Sequence, residues 1–310
     1  MISEADQIAA EGSKLAVVEG IELCYDDFGD PEAETILLVM GLGMQMLGWD
    51  DEFCEMLAMR GYHVVRFDNR DVGLSSKLAG RVNIPAGMVG LTGSAVYGLD
   101  DMAADTAGLI EHLELERVHL VGVSMGGMIS QKLAAKFPER VATLTSIMSS
   151  SGRRRPSTTP RFDALRLLMR SPATTREEYM ASATTMFTVI ASPAYPTDAE
   201  RIRENAGRAW DRSFHPSGVA RQLMAVLAGG DRTRELRSIT APTLVIHGLD
   251  DRLIPVRGGK DTAAAIPGSR LELIEGMGHD LPPALWPRLV DLIAENASQA
   301  EASRSPAAQA

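Results

Sequence analysis

Residues 117–137, RVHLVGVSMGGMISQKLAAKF, join an apolar strand pattern directly to a helical pattern that ends before Pro138. The junction contains G-x-S-x-G, with Gly122 and Gly126 two positions either side of Ser124. A turn this tight has no room for side chains at the two glycine positions. The G-x-S-x-G pattern at this junction therefore predicts a strained backbone at Ser124, with the serine hydroxyl projecting from the end of a sheet as a nucleophile. The alternative is an ordinary strand-to-helix turn with the serine as N-cap.

Strands and helices alternate outward from this junction in both directions. Further strand patterns lie at residues 15–19, 21–27, 35–40, 63–67, 141–148, 242–247 and 270–275, and helical patterns at 49–60, 99–113, 257–265 and 284–296. This alternation predicts an α/β fold with a mostly parallel central sheet covered by helices on both faces. The first two strands are expected to form an antiparallel hairpin around Gly20.

One long segment interrupts the alternation. Residues 152–238 contain no convincing buried strand but have helical patterns at 160–170, 176–188, 197–212 and 216–228. We therefore predict an α/β core in two parts, 12–151 and 239–297, with a helical cap, 152–238, inserted between them. The Ala/Ser/Gln-rich tail, 298–310, is expected to be flexible.

The composition of the chain argues against several classes of function. The 310 residues have a net charge of −10, which argues against nucleic-acid and anionic-membrane partners. Cys24 and Cys54 are isolated, and the sequence has neither a His/Cys metal pattern nor a phosphate-binding loop, so no metal or cofactor is expected. No apolar run reaches membrane-span length, and residues 1–14 do not resemble a secretory signal. We expect a cytoplasmic protein, monomeric or homodimeric, with a small-molecule substrate.

A serine nucleophile requires a base, and His279 is the best candidate. It lies in the glycine-rich loop GMGHD, 276–280, after the strand pattern 270–275 and before the last helix. Ligand sites in such sheets lie at the carboxyl ends of strands, which favours a catalytic role. The remaining histidines lie in strand, helix or cap patterns and are expected to be structural: His63, His112, His119, His215 and His247.

The acid that orients this histidine is expected after the strand at 242–247, where Asp250 and Asp251 are both available. We prefer Asp251, because Asp250 could instead hold the loop through hydrogen bonds to nearby N–H groups. The chain order Ser124, Asp251, His279 is the order found in α/β-hydrolases.

The sequence resembles the α/β-hydrolase superfamily, and within it carboxylesterases of the aclacinomycin methylesterase type and mycobacterial lipase/esterase-like hydrolases. The resemblance rests on residues 26–31 (DDFGDP), 39–43 (VMGLG), 48–49 (GW), 68–75 (DNRDVGLS), 122–127 (GVSMGG), 247–255 (HGLDDRLIP) and 276–279 (GMGH). The superfamily's G-x-x-D-x-x-x-P spacing fits Gly248, Asp251 and Pro255, which supports Asp251 as the acid. One departure is Met40-Gly41, where many relatives have His-Gly.

An oxyanion hole requires two N–H donors. One is expected from the backbone of Met125, directly after the nucleophile. The resemblance implies that the backbone N–H of Leu42 supplies the other. No metal is implied.

The sequence therefore predicts a serine carboxylesterase that works through an acyl-enzyme. The alternatives are a thioesterase, lactonase, perhydrolase or C–C hydrolase with the same triad, or a non-catalytic ligand-binding protein of this fold. The chain has 16 methionines, which suit irregular apolar substrates. Trp49, Met186 and Met224 are the candidate substrate contacts, although helix-core packing would also account for such residues.

Overall fold

A computed structural model describes residues 12–304, which contain one eight-stranded sheet. Its strands are β1 (Lys14–Val18), β2 (Ile21–Phe28), β3 (Thr35–Val39), β4 (His63–Phe67), β5 (Val118–Val123), β6 (Val141–Ile147), β7 (Thr243–Gly248) and β8 (Arg270–Ile274). The strand order is β1-β2-β4-β3-β5-β6-β7-β8. β2 pairs antiparallel with β1 and β4, and the remaining neighbours are parallel. The predicted α/β fold and N-terminal hairpin are confirmed.

Helices cover both faces of the sheet. In chain order, the helices of the described residues are α1 (Asp51–Ala58), α2 (Ile84–Met88), α3 (Leu99–His112), α4 (Met125–Lys136), α5 (Phe162–Leu168), α6 (Arg176–Ile190), α7 (Ala199–Arg212), α8 (Pro216–Ala228), α9 (Thr233–Leu236), α10 (Arg257–Ala265) and α11 (Trp286–Arg304). No described helix is long and apolar enough to span a bilayer.

The central strand β3 shows why the sheet is buried on both sides. Its side chains alternate between faces, as the pleat requires. Leu37 and Val39 join the core packed beneath α3 and α4, whereas Ile36 and Leu38 join the core beneath α1 and α11. All four are completely buried, which accounts for the uninterrupted apolar run in the sequence.

The segment between β6 and β7 contains helices α5 to α9. An aromatic cluster links α6 to the C-terminal end of α7: Tyr179, Trp210 and Phe214 have ring centroids between 4.0 and 5.6 Å apart. The division of the chain into core and cap stays a prediction, and we use "cap" below for residues 152–238.

Three elements differ from the sequence expectations. α2 forms within a stretch that shows no regular pattern, because Asn83 caps it and Pro85 lies in its first turn. The short helix α9 was not predicted. α11 continues to Arg304, beyond the expected end at residue 296, because Ala297 and Ala300 are buried against the core. Two ranges lie outside the described residues. They are residues 1–11, most of the segment that is expected not to be a secretory signal, and residues 305–310, the end of the predicted tail.

Candidate active site

The turn between β5 and α4 holds Ser124 in a conformation that few non-glycine residues adopt, with φ 53° and ψ −119°. Close packing enforces this turn, since a methyl group on Gly126 would lie 2.1 Å from the carbonyl oxygen of Val39. Hydrogen bonds fix the serine backbone from two sides. Its N–H donates to Ile147 O at 3.0 Å, and its carbonyl accepts from the Ser149 hydroxyl at 2.8 Å.

His279 joins the serine to a carboxylate. Its Nε2 lies 3.0 Å from Ser124 Oγ, and its Nδ1 lies 2.7 Å from Asp251 Oδ2. An ionised carboxylate only accepts hydrogen bonds, so Nδ1 carries the proton in the neutral ring. Nε2 is then left as the acceptor facing the serine hydroxyl. The structure thus brings together the three residues that lie at positions 124, 251 and 279 of the sequence.

The Asp251 carboxylate is held on both oxygens. Oδ1 accepts from the backbone N–H groups of Leu253 and Ile254 at 2.9 and 2.8 Å, which leaves Oδ2 for His279. Behind it, His247 Nε2 donates to Ile254 O at 2.8 Å and lies 3.5 Å from Asp251 Oδ2. Burial acts to raise the pKa of Asp251, but attraction to His279 and hydrogen bonds from both histidines outweigh it and hold the pKa well below its usual range.

Asp250 faces a different partner. Its Oδ2 accepts from the N–H of Gly276 at 3.0 Å, and its own N–H donates to Met277 O at 3.0 Å. These bonds join the loop after β7 to the loop after β8. Of the two candidate acids, Asp251 therefore contacts His279, while Asp250 holds the two loops together.

A cap segment, residues 190–194, is hydrogen-bonded to the loop that carries His279. The N–H of His279 donates to Ile190 O at 2.7 Å, and the N–H of Ala194 donates to Gly276 O at 3.2 Å. The Asp280 carboxylate accepts from both the N–H and the hydroxyl of Ser192 through Oδ1, at 2.9 and 2.5 Å. Burial raises the pKa of Asp280, and the Ser192 bonds offset this only in part.

The loop after β3 passes directly over the nucleophile. A methyl group on Gly41 would lie 3.2 Å from Ser124 Cβ, so the next peptide, which carries the N–H of Leu42, starts against the serine. Met125 is the first residue of α4, where backbone N–H groups point away from the helix and favour negative charge. The two predicted oxyanion donors therefore belong to segments that flank Ser124.

The predicted substrate contacts are placed differently. Trp49 is completely buried and stacks on Phe53 at 5.5 Å between ring centroids. Met224 is also completely buried, and its side chain packs against Gly87 of α2. Met186 is half-buried on the cap helix α6. Contact between a ligand and Trp49 or Met224 would require these packed side chains to move.

The other histidines have partners away from Ser124. His63 bonds Thr35, His119 bonds Thr143, His215 bonds Arg221, and His112 packs edge-on against Tyr25. Among the described residues, no group of three or more His, Cys, Asp or Glu side chains could hold a metal ion.

Comparison with known families matches residues 34–282 to the family described as the alpha/beta hydrolase fold. The chain belongs to this family. This alpha/beta hydrolase is 29% identical over 293 residues to rhodomycin D methylesterase DnrP of Streptomyces peucetius, covering 88% of this chain and 94% of that protein. It is 28% identical to 2-hydroxy-6-oxononadienedioate/2-hydroxy-6-oxononatrienedioate hydrolase 2 of Pseudomonas putida, covering 84% and 85%. Among solved structures it resembles the enol-lactonase from Burkholderia xenovorans LB400, with a TM-score of 0.71, 22% identity, and coverage of 92% of this chain and 100% of that one.

Sequence reasoning missed several side chains around the site of this alpha/beta hydrolase. Asp280 directly follows His279, so its position in the loop was visible, but its partner Ser192 lies 88 residues away. Ser149 lies directly after the strand pattern at 141–148, and its position at the carboxyl end of a strand could have indicated that it lies near the site. Asn69 and Gln222, which contact the backbone of the Gly41 loop, showed no signal of that role in the sequence.

Proposed function

We propose that this alpha/beta hydrolase is a serine carboxylesterase that cleaves carboxylic esters through an acyl-enzyme. The observation that carries the proposal is the hydrogen-bond chain from Ser124 Oγ through His279 to Asp251, at 3.0 and 2.7 Å. A strained serine, a histidine with the proton on Nδ1 and a buried carboxylate behind it form the arrangement that activates a hydroxyl nucleophile. The methylesterase relative agrees with this chemistry.

In the first half-reaction, Ser124 Oγ bonds to the ester carbonyl carbon while its proton moves to His279 Nε2. Asp251 stabilises the resulting imidazolium, and the backbone N–H groups of Leu42 and Met125 bind the developing oxyanion. Each such donor is worth about 3 kcal/mol of barrier. Collapse of the tetrahedral intermediate breaks the bond to the alkoxy oxygen, which leaves as the alcohol with the proton from His279.

In the second half-reaction, water repeats the sequence at the acyl-enzyme. His279 takes a proton from the water, the hydroxide bonds to the acyl carbon, and the proton returns to Ser124 Oγ as the acid leaves. The cycle needs no further proton carrier, because His279 holds each transferred proton between steps.

The test is Ser124→Ala. We expect p-nitrophenyl ester hydrolysis to fall by about 10⁴-fold or more, with unchanged circular dichroism, because the nucleophile is lost while the fold remains. Ser130→Ala is the matched control, since Ser130 is a completely buried serine on α4 whose hydroxyl has no hydrogen-bond partner among the described residues. It should keep most of the activity. Ester turnover retained by Ser124→Ala would reject the assignment.

The P. putida relative favours one second candidate, a C–C hydrolase using the same residues. The kcat/KM values for esters, thioesters, lactones and vinylogous diketones would rank these activities, and a diketone preferred over every ester would replace the esterase proposal. A fluorophosphonate probe separates all of them from a ligand-binding protein without catalysis. We expect it to label Ser124 in the wild type and to leave Ser124→Ala unlabelled.

A further inference from the structure

Gln222 is a completely buried glutamine on the cap helix α8, and both ends of its amide are bonded to backbone groups of the core. Its Oε1 accepts from the N–H of Gly43 at 2.9 Å, and its Nε2 donates to the carbonyl of Arg70 at 2.8 Å. A carbonyl oxygen can only accept and an N–H can only donate, so the two contacts fix the amide in one orientation. Val219, one turn earlier on α8, also packs against Gly43.

The two contacts with Gly43 lie on the loop that carries the N–H of Leu42, and the Arg70 contact joins that loop's anchor to the loop after β4. The peptide that contains this N–H joins Gly41 to Leu42, and its carbonyl end accepts from the N–H of Met44 at 3.3 Å. Because the N–H and C=O of a trans peptide point in opposite directions, this bond sets the direction of the Leu42 N–H.

The peptides on either side are each fixed by a buried side chain. The preceding peptide is held at the carbonyl of Met40, which accepts from Asn69 Nδ2 at 3.0 Å. The following peptide is held at the N–H of Gly43 by Gln222. Glycines at positions 41 and 43 give the loop little stiffness of its own, so its conformation depends on these side-chain contacts.

We propose that Gln222 is a positioning residue for the oxyanion hole, and that the cap thereby fixes the catalytic geometry of the core. This inference rests on the proposed function. Gln222 acts through the loop and does not touch the substrate: it holds the Gly43 peptide so that the Leu42 N–H points at the carbonyl oxygen when that oxygen acquires negative charge. Such alignment matters more in the transition state than in the bound ester.

The experiment compares Gln222→Met with Gln131→Met. Both replace a completely buried glutamine by an apolar side chain of similar length, but Gln131 lies on α4 and bonds Ser146, away from the oxyanion loop. We expect Gln222→Met to lower kcat about 10- to 100-fold, somewhat less than the loss of a whole oxyanion donor, with KM within about threefold of the wild type. Gln131→Met also removes a buried hydrogen bond and so costs stability, but it should change kcat by less than about threefold.

A second measurement separates positioning from a general structural effect. A trifluoromethyl ketone analogue of the best ester adds Ser124 Oγ to its carbonyl carbon, and the resulting oxyanion occupies the same hole. Its affinity for Gln222→Met should fall in parallel with kcat/KM, whereas fluorophosphonate labelling should still reach completion. Asn69→Leu, which removes the other side-chain contact, should reproduce the pattern and serves as the second variant if Gln222→Met does not fold.

The outcomes are distinct. Equal kcat values for Gln222→Met and Gln131→Met, or a loss confined to KM, would overturn the positioning role. A wild type that neither hydrolyses esters nor reacts with the fluorophosphonate would instead refute the proposed function, before any variant is compared.

Discussion

Two buried carboxylates lie beside His279, and their environments shift their pKa values in opposite directions. Asp251 is hydrogen-bonded to the His279 ring, and Asp280 follows His279 in the chain. Burial acts to raise the pKa of both. For Asp251 the effect of His279 and the hydrogen bonds from His247 and His279 outweigh burial, so the carboxyl stays ionised. Asp280 has only Ser192 as a hydrogen-bond donor, and its Oδ2 has no hydrogen-bond partner among the described residues, so its pKa is raised. The carboxylate that the proposed mechanism requires to be negative is therefore the one whose charge is stabilised.

These directions predict opposite effects of pH on stability. An aspartate in an unfolded chain has a pKa of about 3.9. Because the pKa of Asp280 is raised in the folded state, its ionisation costs stability as pH rises from about 4 through the folded pKa. Asp280→Asn should therefore gain stability relative to the wild type between pH 4 and 7. Because the pKa of Asp251 is depressed, its contribution is present above about pH 4 and is lost as pH falls toward the folded pKa.

Urea unfolding at several pH values from 4 to 7 measures both effects. The difference between Asp280→Asn and the wild type should become more favourable as pH rises. Asp251→Asn is the internal control, since its difference should become less favourable over the lower part of the same range. If the two differences have the same slope, the environments assigned to these carboxylates are wrong.

At the level of single elements, hydrophobic periodicity and the placement of glycine and proline predicted all eight strands and the four longest helices of the cap. These features are local: apolar runs such as Thr35–Val39 and the glycines of the Ser124 turn depend on neighbours a few residues away. The chain order and strand-end positions also predicted which serine, aspartate and histidine would meet. Contacts such as Gln222 with Gly43 span 179 residues and depend on the way α8 packs on the core, so no local pattern contains them. The sequence left Trp49 open between a substrate contact and core packing, and the structure buries it completely beside Phe53.

The tight turn at Ser124 gives a prediction for one element. Gly126→Ala should gain about 1 kcal/mol of helix propensity, yet its methyl group would lie 2.1 Å from Val39 O and 2.7 Å from Met40 O. Both are backbone atoms that cannot rotate away, so the clash should dominate and cost about 3 kcal/mol of unfolding free energy. Since Met40 leads into the loop with Leu42, kcat should fall as well.

Gly93→Ala is the matched control, because nothing lies within 4 Å of the added methyl group. It should leave the urea midpoint and kcat close to those of the wild type. A Gly126→Ala protein as stable and active as Gly93→Ala would mean that the turn has more room than the structure gives it.

Across the whole molecule, the cap is joined to the core by buried charges as well as by apolar packing. Arg212, at the end of α7, donates to Asp68 Oδ2 at 2.6 Å and to Gln45 Oε1 at 2.9 Å. Asp68 is completely buried and also accepts from the N–H groups of Met46 and Leu74. One carboxylate thus links the cap to the loop after β3 and the loop after β4. The same two loops are bonded by Gln222, so cap docking and the geometry of the proposed oxyanion loop should change together.

Arg212→Met tests how strongly this connection holds the molecule together. It leaves the Asp68 charge buried without its cationic partner, and removing one member of a buried ion pair typically costs about 3–5 kcal/mol. The control is Arg176→Met, which removes an arginine bonded to Asp211 at 2.8 Å on the cap surface, where both side chains are about half exposed. Solvent screens such a pair, so its loss should leave the urea midpoint almost unchanged. If cap and core unfold as one unit, Arg212→Met lowers the midpoint of the whole transition. A separate early transition, seen only in the tryptophan and tyrosine signals of the cap, would show instead that the core stays folded without the cap. Ester hydrolysis measured over the same urea range would then show whether the candidate active site works after the cap has unfolded.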